Sequence, residues 1–140
     1  MEMDAVLVKR LICNLLSNAV DASQAGSRIE VQLATLPKTE LNREWHRIKI
    51  VDHGEGISAE NLQRVFTPYF TTKNTGDGKR GFGLGLAIAR KIAHLHGGTL
   101  NITSKQKAGT TVQVDLPSKL QAAQSRLRAA VDPNGEAIPA

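Results

Sequence analysis

Two asparagine side chains stand four residues apart in the segment Asn14-Leu-Leu-Ser-Asn18. The apolar residues around them recur at helical spacing, which predicts an amphipathic helix over residues 4–22. Side chains at i and i+4 lie on the same helix face. Their amide oxygens are hard, neutral ligands that suit Mg²⁺ when phosphates and water complete its coordination. A plain solvated helix face would show the same pattern, so this cluster alone leaves both interpretations open.

A second cluster, Asp52-His53-Gly54-Glu55-Gly56-Ile57, follows a predicted strand over residues 46–52. A carboxylate at a strand end accepts hydrogen bonds only, so it suits the amino group of adenine and repels the carbonyl of guanine. The two glycines would let the backbone approach a flat base closely. An ordinary turn between two elements is the alternative interpretation.

Two further clusters lie between residues 66 and 86. In Phe66-Thr-Pro-Tyr-Phe70-Thr-Thr-Lys73, the aromatic residues around a proline favour a loop pinned to the core, with Lys73 as a candidate phosphate contact. A hydrophobic staple ahead of a surface loop fits equally well. In Gly81-Phe-Gly-Leu-Gly-Leu86, glycines lead into a helix whose N-terminal N–H groups and dipole favour phosphate.

The elements that must position these clusters can be read from periodicity and turn residues. We expect a short helix capped by Ser58, a polar loop over 71–80 and a helix over 84–96, with Leu84, Ile88, Ile92 and Leu95 on its inner face. The predicted strands cover residues 28–36, 46–52, 99–104 and 110–116. This order indicates an α+β layer with helices on one face of a sheet. Residues 1–117 are expected to form the domain, and 118–140 a tail that is partly helical, over 120–131, or disordered.

Composition narrows the class of protein. The 140 residues suffice for one domain, and 41% are hydrophobic, so a core can form without disulfides. The single cysteine, Cys13, lies among apolar residues and is expected to be a buried thiol. The net charge of +5 is scattered and aromatic residues make up 4%, which argues against nucleic-acid binding. No apolar run approaches the roughly 20 residues that cross a bilayer, so we expect a cytoplasmic domain without membrane contact.

The ordered set of segments NLLSNAVDA, DHGEGI, FTPYFTTK, GFGLGL and GTTVQVDLP resembles the ATP-binding family shared by histidine kinases, DNA gyrase, MutL and related chaperones. The resemblance covers about residues 5–117. Within the family the chain looks like the histidine kinases, and NLLSNAVDA with FTPYFTTK is similar to the NtrB/FixL-like branch. The resemblance implies a Bergerat-type ATP-binding fold: a two-layer α/β sandwich with a mixed sheet and helices on one face.

The resemblance also assigns roles to residues. It implies that Asn18 is the Mg²⁺ ligand, that Asn14 lies near the phosphates, and that Asp52 reads adenine with Thr110 nearby. Residues 71–80 match the lid over the nucleotide, and Lys73 is the candidate contact to the γ-phosphate. The implied ATP-binding set is Asn14, Asn18, Asp52, Gly54, Gly56, Ile57, Phe70, Thr72, Lys73, Gly81, Gly83, Leu84, Gly85, Leu86 and Thr110.

Several positions depart from the family pattern. His53 stands where asparagine is common, and Tyr69 replaces a more usual phenylalanine. Many members carry a lysine and an aromatic residue where this chain has Asp21 and Ala22. In gyrase-like ATPases the position of Asn14 is a glutamate that activates water, and an amide cannot serve as a general base.

The implied activity is therefore transfer of the γ-phosphoryl group of Mg-ATP to a protein histidine in two-component signalling. The implied acceptor lies on a separate dimerisation domain of the same kinase, a response regulator follows it, and the isolated domain is expected to be monomeric. The chain's own histidines, His46, His53, His94 and His96, are interpreted as structural, the last two as cations at a helix C-terminus. A nucleotide-sensing module, a gyrase-type ATP hydrolase and an anti-sigma-factor serine kinase are the alternatives.

Overall fold

A computed structural model of the chain describes residues 3–37, 43–68, 70 and 85–118. It contains three α-helices and four β-strands within these ranges, in the order α1 (Ala5–Ala22), β1 (Ile29–Leu36), β2 (Trp45–Asp52), α2 (Ala59–Leu62), α3 (Gly85–Leu95), β3 (Thr99–Lys105) and β4 (Gly109–Pro117). These elements agree with the predicted ones to within one or two residues. The predicted tail helix over 120–131 lies outside the described residues.

Asp4 is the N-cap of helix α1, and its carboxylate accepts hydrogen bonds from the backbone N–H groups of Val6 and Leu7. Such a cap satisfies donors that have no partner inside the helix. Its buried positions, Leu11, Leu15 and Ala19, recur every four residues and form the face toward the sheet.

The expectation that Cys13 is buried is wrong, because its side chain is exposed. Cys13 lies two residues from both Leu11 and Leu15, which is about 200° around a helix of 3.6 residues per turn. The apolar neighbours in the sequence therefore belong to the opposite face of α1.

The sheet has the strand order β1-β2-β4-β3, and its three pairings are all antiparallel. The α/β fold class is confirmed, but a mixed sheet is not found among the described strands. The reason is the connectivity: β1–β2 and β3–β4 pair with their neighbours in sequence, and the pairs join through β2 and β4. The connection between β2 and β3, which contains α2 and α3, is a crossover that makes these two strands point the same way, but β4 lies between them.

The core lies between one face of this sheet and the helices α1 and α3. Alternate residues point toward it: Ile48 and Ile50 from β2, Leu100 from β3, and Val112, Val114 and Leu116 from β4. The edge strand β1 is less covered than the expected half-buried strand, and Leu33 is 76% exposed. On the opposite face, Arg47 donates two hydrogen bonds of 2.8 Å to the carboxylate of Asp115, and this interaction raises the pKa of Arg47.

The structure corrects two details of α3. Its buried residues are Ala89, Ile92 and Ala93, whereas Leu95 is 49% exposed. The buried face of the helix continues from Ile92 to His96, four residues later, which is 3% exposed.

The sequence suggested that His96 is a cation at the helix end, but its hydrogen bonds contradict this. Its Nε2 accepts a hydrogen bond from the backbone N–H of Asp4 at 3.2 Å, and its Nδ1 lies 2.8 Å from the carbonyl oxygen of Ile92, which can only accept. An imidazole that accepts at one nitrogen and donates at the other is neutral. His96 therefore ties the end of α3 to the start of α1.

The helix stops at Gly97-Gly98, as expected, with the Gly98 N–H bonded to the carbonyl oxygen of Ala93. Across the described ranges, no helix combines the length and apolar character that crossing a bilayer requires.

Candidate functional site

A row of polar side chains crosses three strands at one end of the core-facing side of the sheet. Asp52 on β2 pairs in register with Thr110 on β4, and Thr110 pairs with Ser104 on β3. Directly opposite residues of an antiparallel pair project to the same face, with Cβ atoms about 4.5–5.5 Å apart. Asp52 is 5% exposed and Thr110 is 9% exposed. These three residues continue the every-second-residue pattern of core-facing side chains on their strands. At this end of the sheet, the core-facing side chains are polar.

The backbone after Asp52 is held against two other elements. The carboxylate of Asp52 accepts a hydrogen bond of 3.0 Å from the Gly54 N–H, the Glu55 N–H donates to the carbonyl of Ala22 at 3.2 Å, and the Lys107 N–H donates to the carbonyl of Glu55 at 2.6 Å. The loop over residues 53–57 thus lies between the end of α1 and the β3–β4 hairpin.

This packing explains the two glycines of the loop. A Cβ on Gly54 would lie 2.1 Å from the carbonyl oxygen of Ala22, and a Cβ on Gly56, whose φ is 67°, would lie 2.0 Å from that of Lys105. Neither position tolerates a side chain, since backbone atoms already occupy the space. In the structure these glycines admit neighbouring backbone, and their contact with a base stays a prediction.

The amide stripe of α1 faces the first residue of α3. The Asn14 side-chain amide donates to the Gly85 carbonyl at 3.4 Å. A Cβ on Gly85 would lie 3.6 Å from Asn18 Nδ2 and 3.7 Å from Asn18 Oδ1, which is ordinary contact. The structure therefore brings Asn14, Asn18 and Gly85 together, with Leu86 next in the helix. This end of α3 offers backbone N–H groups that have no partner inside the helix.

Helix α1 lies beside both polar groups, the row that contains Asp52 and the amide stripe, and we call the region between them the candidate cleft. Asn18 precedes Ala22 by four residues, a rise of about 6 Å along a helix. The helix thus has the loop that follows Asp52 at its C-terminal end and the N-terminus of α3 beside its amide stripe. The acceptor groups of the row lie near one end and the amide groups lie near the other, and a ligand with an aromatic base and an anionic tail presents complementary groups in that order.

Phe66 and Phe70 each carry a guanidinium group over the ring. The Arg90 and Arg64 Cζ atoms lie 4.5 Å from the centroids of Phe66 and Phe70, respectively. The Arg90 contact holds the segment after α2 near α3, whereas the Arg64 contact lies within that segment. Phe66, Ala87, Arg90, Lys91, His94 and Leu95 line an open groove of about 360 Å³ beside it.

Part of the predicted site cannot be placed. Thr72, Lys73, Gly81, Gly83 and Leu84, together with the rest of the lid over 71–80, lie outside the described residues.

Sequence reasoning missed Ser104. Its hydroxyl lies 2.8 Å from the Thr110 hydroxyl oxygen, and it accepts a hydrogen bond of 2.8 Å from the backbone N–H of Ile57. The signal was available, because the predicted strands 99–104 and 110–116, joined as a hairpin, place Ser104 opposite Thr110. Among the predicted residues, Ile57 therefore has its N–H committed to β3.

Comparison with known families shows to which family this chain belongs. Residues 3–120 match the family of histidine kinase-, DNA gyrase B- and HSP90-like ATPases. The chain belongs to this family. Within it, the chain is homologous to the catalytic domains of sensor histidine kinases.

Two curated relatives illustrate the likeness within the family. The sensor histidine kinase YvrG of Bacillus subtilis is 35% identical over 112 residues, covering 80% of this chain and 18% of YvrG. Sporulation kinase D of the same species is 34% identical over 110 residues, covering 79% of this chain and 20% of that kinase. The chain thus spans about a fifth of the length of these relatives.

A solved structure agrees with the fold. The nucleotide-free catalytic domain of the histidine kinase ThkA superposes with a TM-score of 0.70 at 27% identity, covering 86% of this chain and 72% of that one. The family's two-layer architecture therefore applies to this chain.

The contact between Gly54 and Ala22 gives a first prediction. Gly54→Ala should expose the Glu55 amide to rapid hydrogen exchange and lower the free energy of unfolding by about 1–3 kcal/mol, because a methyl group meets fixed backbone. Gly26→Ala is the control: its φ is 82° but the space around it is open, so we expect a loss of about 1 kcal/mol with no selective effect on Glu55. Unchanged protection of the Glu55 amide in Gly54→Ala would contradict the close contact between Gly54 and Ala22.

Proposed function

We propose that this chain binds Mg-ATP and donates the γ-phosphoryl group to a histidine on a separate dimerisation domain, as the catalytic domain of a two-component sensor kinase. The observation that carries the proposal is the placement of two polar groups along α1, with Asp52 and Thr110 near its C-terminal end and Asn14 and Asn18 beside Gly85. The membership of the chain in an ATPase family supports the choice of nucleotide.

Adenine would be read at the sheet end of the cleft. Asp52 is buried, and one carboxylate oxygen is already held by the Gly54 N–H, so the carboxylate cannot turn away. A carboxylate accepts from the exocyclic amino group of adenine and repels the carbonyl of guanine. We therefore expect the base to lie against Asp52, with the loop over 53–57 along its side.

The phosphates would lie at the α1–α3 end. The amide oxygen of Asn18 suits Mg²⁺, which binds through few protein ligands when phosphates and water supply the rest. The N-terminus of α3 at Gly85 and Leu86 favours negative charge. Thr72, Lys73, Gly81, Gly83 and Leu84 complete the proposed set, with Lys73 at the γ-phosphate.

Transfer to a histidine is favoured over hydrolysis by the residue at position 14. An amide cannot deprotonate water, so Asn14 is no general base. The chain's part in the reaction is to position the nucleotide and stabilise charge while an imidazole nitrogen of the acceptor forms the bond to phosphorus and ADP leaves. Asn14 also donates to the Gly85 carbonyl, which fixes the end of α3 against α1.

The wider assignments rest on the motifs. We assign residues 1–117 to the catalytic domain and 118–140 to a tail, and we place the chain in the NtrB/FixL-like branch because of NLLSNAVDA and FTPYFTTK. A response regulator would receive the phosphoryl group after the acceptor histidine, in the cytoplasm where ATP is supplied.

The role of Asp52 predicts nucleotide selectivity. Isothermal titration calorimetry should show ATP and ADP binding with Mg²⁺, and GTP binding much more weakly. Asp52→Asn should raise the dissociation constant for ATP about tenfold or more, since hydrogen bonds to charged groups contribute roughly 1.5–3 kcal/mol. Glu44→Gln, an exposed acid at the far end of β2, should leave both affinities unchanged. Equal affinity of the unaltered chain for ATP and GTP would remove the proposed role of Asp52.

The role of Asn18 predicts the metal dependence. Mg²⁺ should tighten ATP binding in the unaltered chain, and Asn18→Ala should abolish that tightening, because the amide oxygen is lost from the metal. Ser17→Ala, at the neighbouring exposed position of α1, is the matched control and should keep it. A Mg²⁺ effect that survives Asn18→Ala would mean that the ligand is elsewhere.

The proposed reaction is tested with γ-labelled ATP and a separately supplied histidine-bearing domain of the same protein. The chain alone should remain unlabelled, and the supplied domain should gain label that is lost when its histidine is replaced. Release of inorganic phosphate without an acceptor would favour a gyrase-type hydrolase. ATP binding with neither transfer nor hydrolysis would favour a nucleotide-sensing module.

A further inference from the structure

Ser104 lies at the junction of three groups around the base end of the cleft. Its hydroxyl oxygen is 2.8 Å from the Ile57 backbone nitrogen, 2.9 Å from the Gly109 carbonyl oxygen and 2.8 Å from the Thr110 hydroxyl oxygen. Ser104 is half-buried on β3, and Thr110 lies between it and Asp52 in the row across the sheet.

The number of hydrogens favours one direction for these bonds. A serine hydroxyl has one hydrogen to donate and two lone pairs to accept with. The Ile57 N–H can only donate, and the Gly109 carbonyl can only accept. When Ser104 accepts from Ile57 and donates to Gly109, its remaining lone pair is filled by the hydrogen of the Thr110 hydroxyl. In this arrangement every member of the network is satisfied.

The consequence falls on Thr110. With the bonds in this direction, the Thr110 hydrogen points toward Ser104, and the side of its oxygen that remains free offers lone pairs only. Asp52, its partner in register, is also an acceptor. The base end of the cleft is thereby composed of acceptors, and a ligand group placed there must donate.

We propose that Ser104 is a positioning residue for nucleotide selectivity: it locks the Thr110 hydroxyl as an acceptor and so strengthens the preference for adenine over guanine. The inference rests on the proposed function, because it concerns the same cleft. Adenine presents an exocyclic amino group, which donates, where guanine presents a carbonyl, which accepts. Without Ser104, the Thr110 hydroxyl can rotate and donate to that carbonyl, which relieves part of the penalty against guanine.

The test compares the ratio of GTP to ATP dissociation constants in four forms of the full 140-residue chain: unaltered, Ser104→Ala, Thr110→Val and the double variant. Ser104→Ala should lower the ratio about fivefold, the size expected for one hydrogen bond. In the Thr110→Val background, Ser104→Ala should leave the ratio unchanged, because no hydroxyl remains to be freed. If Ser104 had a purely structural role, Ser104→Ala would weaken the binding of both nucleotides, with or without Thr110→Val.

Three further variants keep the test decisive. Ser104→Thr retains a hydroxyl and should keep the ratio of the unaltered chain. Thr103→Ala removes the exposed neighbouring hydroxyl on the opposite face of β3 and should also keep it. If Ser104→Ala shows no cooperative thermal unfolding, Ser104→Cys takes its place, since a thiol fills the space but is a weak hydrogen-bonding group. The cysteine variant should lower the ratio as the alanine variant would.

Two results would overturn the role of Ser104: an unchanged ratio when the hydroxyl is removed, or an equal fall in the ratio in the Thr110→Val background. Either result, with a clear preference for ATP in the unaltered chain, leaves the proposed function standing. An unaltered chain that binds neither nucleotide overturns the proposed function, and the role of Ser104 with it.

Discussion

The contact between the end of α1 and the loop after β2 sets the geometry of the whole site. The Glu55 N–H donates to the carbonyl of Ala22, and Gly54 packs so closely on that carbonyl that a single methyl group would collide with it. Because helices and sheets are internally rigid, this one backbone contact sets how far the amides of α1 stand from the acid at position 52. It also explains why the loop carries glycine where it meets α1.

The site is an extension of the core. The side chains of β2 that face the helices are Ile48, Ile50 and Asp52, so the same alternation that buries two isoleucines also buries the carboxylate. Burying a polar group is unfavourable unless it is hydrogen-bonded, and Asp52 has the Gly54 N–H as a partner. The hydrophobic layer therefore ends in a buried carboxylate held by a backbone N–H group, and a hydrogen bond to it is electrostatically stronger than the same bond in water.

The opposite end of the cleft depends on an amide at position 14. Asn14 donates to the carbonyl of the first residue of α3, so it fastens the two helices at the point where phosphates are proposed to bind. A carboxylate could only accept and would face that carbonyl oxygen with a negative charge. The side chain that joins α1 to α3 is thus also one that cannot activate water, and the packing role and the proposed preference for transfer over hydrolysis come from the same group.

The sequence by itself determined the elements and the polar clusters that they carry. Helical and strand periodicity, the Ser58 cap and the Gly97-Gly98 stop act within a few residues, and so does the i, i+4 spacing of Asn14 and Asn18. Only the tertiary structure decided which strands are neighbours, that Cys13 and Leu95 face outward, and that Ser104 reaches Thr110. Periodicity fixes spacing along an element, whereas the rotation of a helix and the order of strands depend on contacts between residues far apart in the chain.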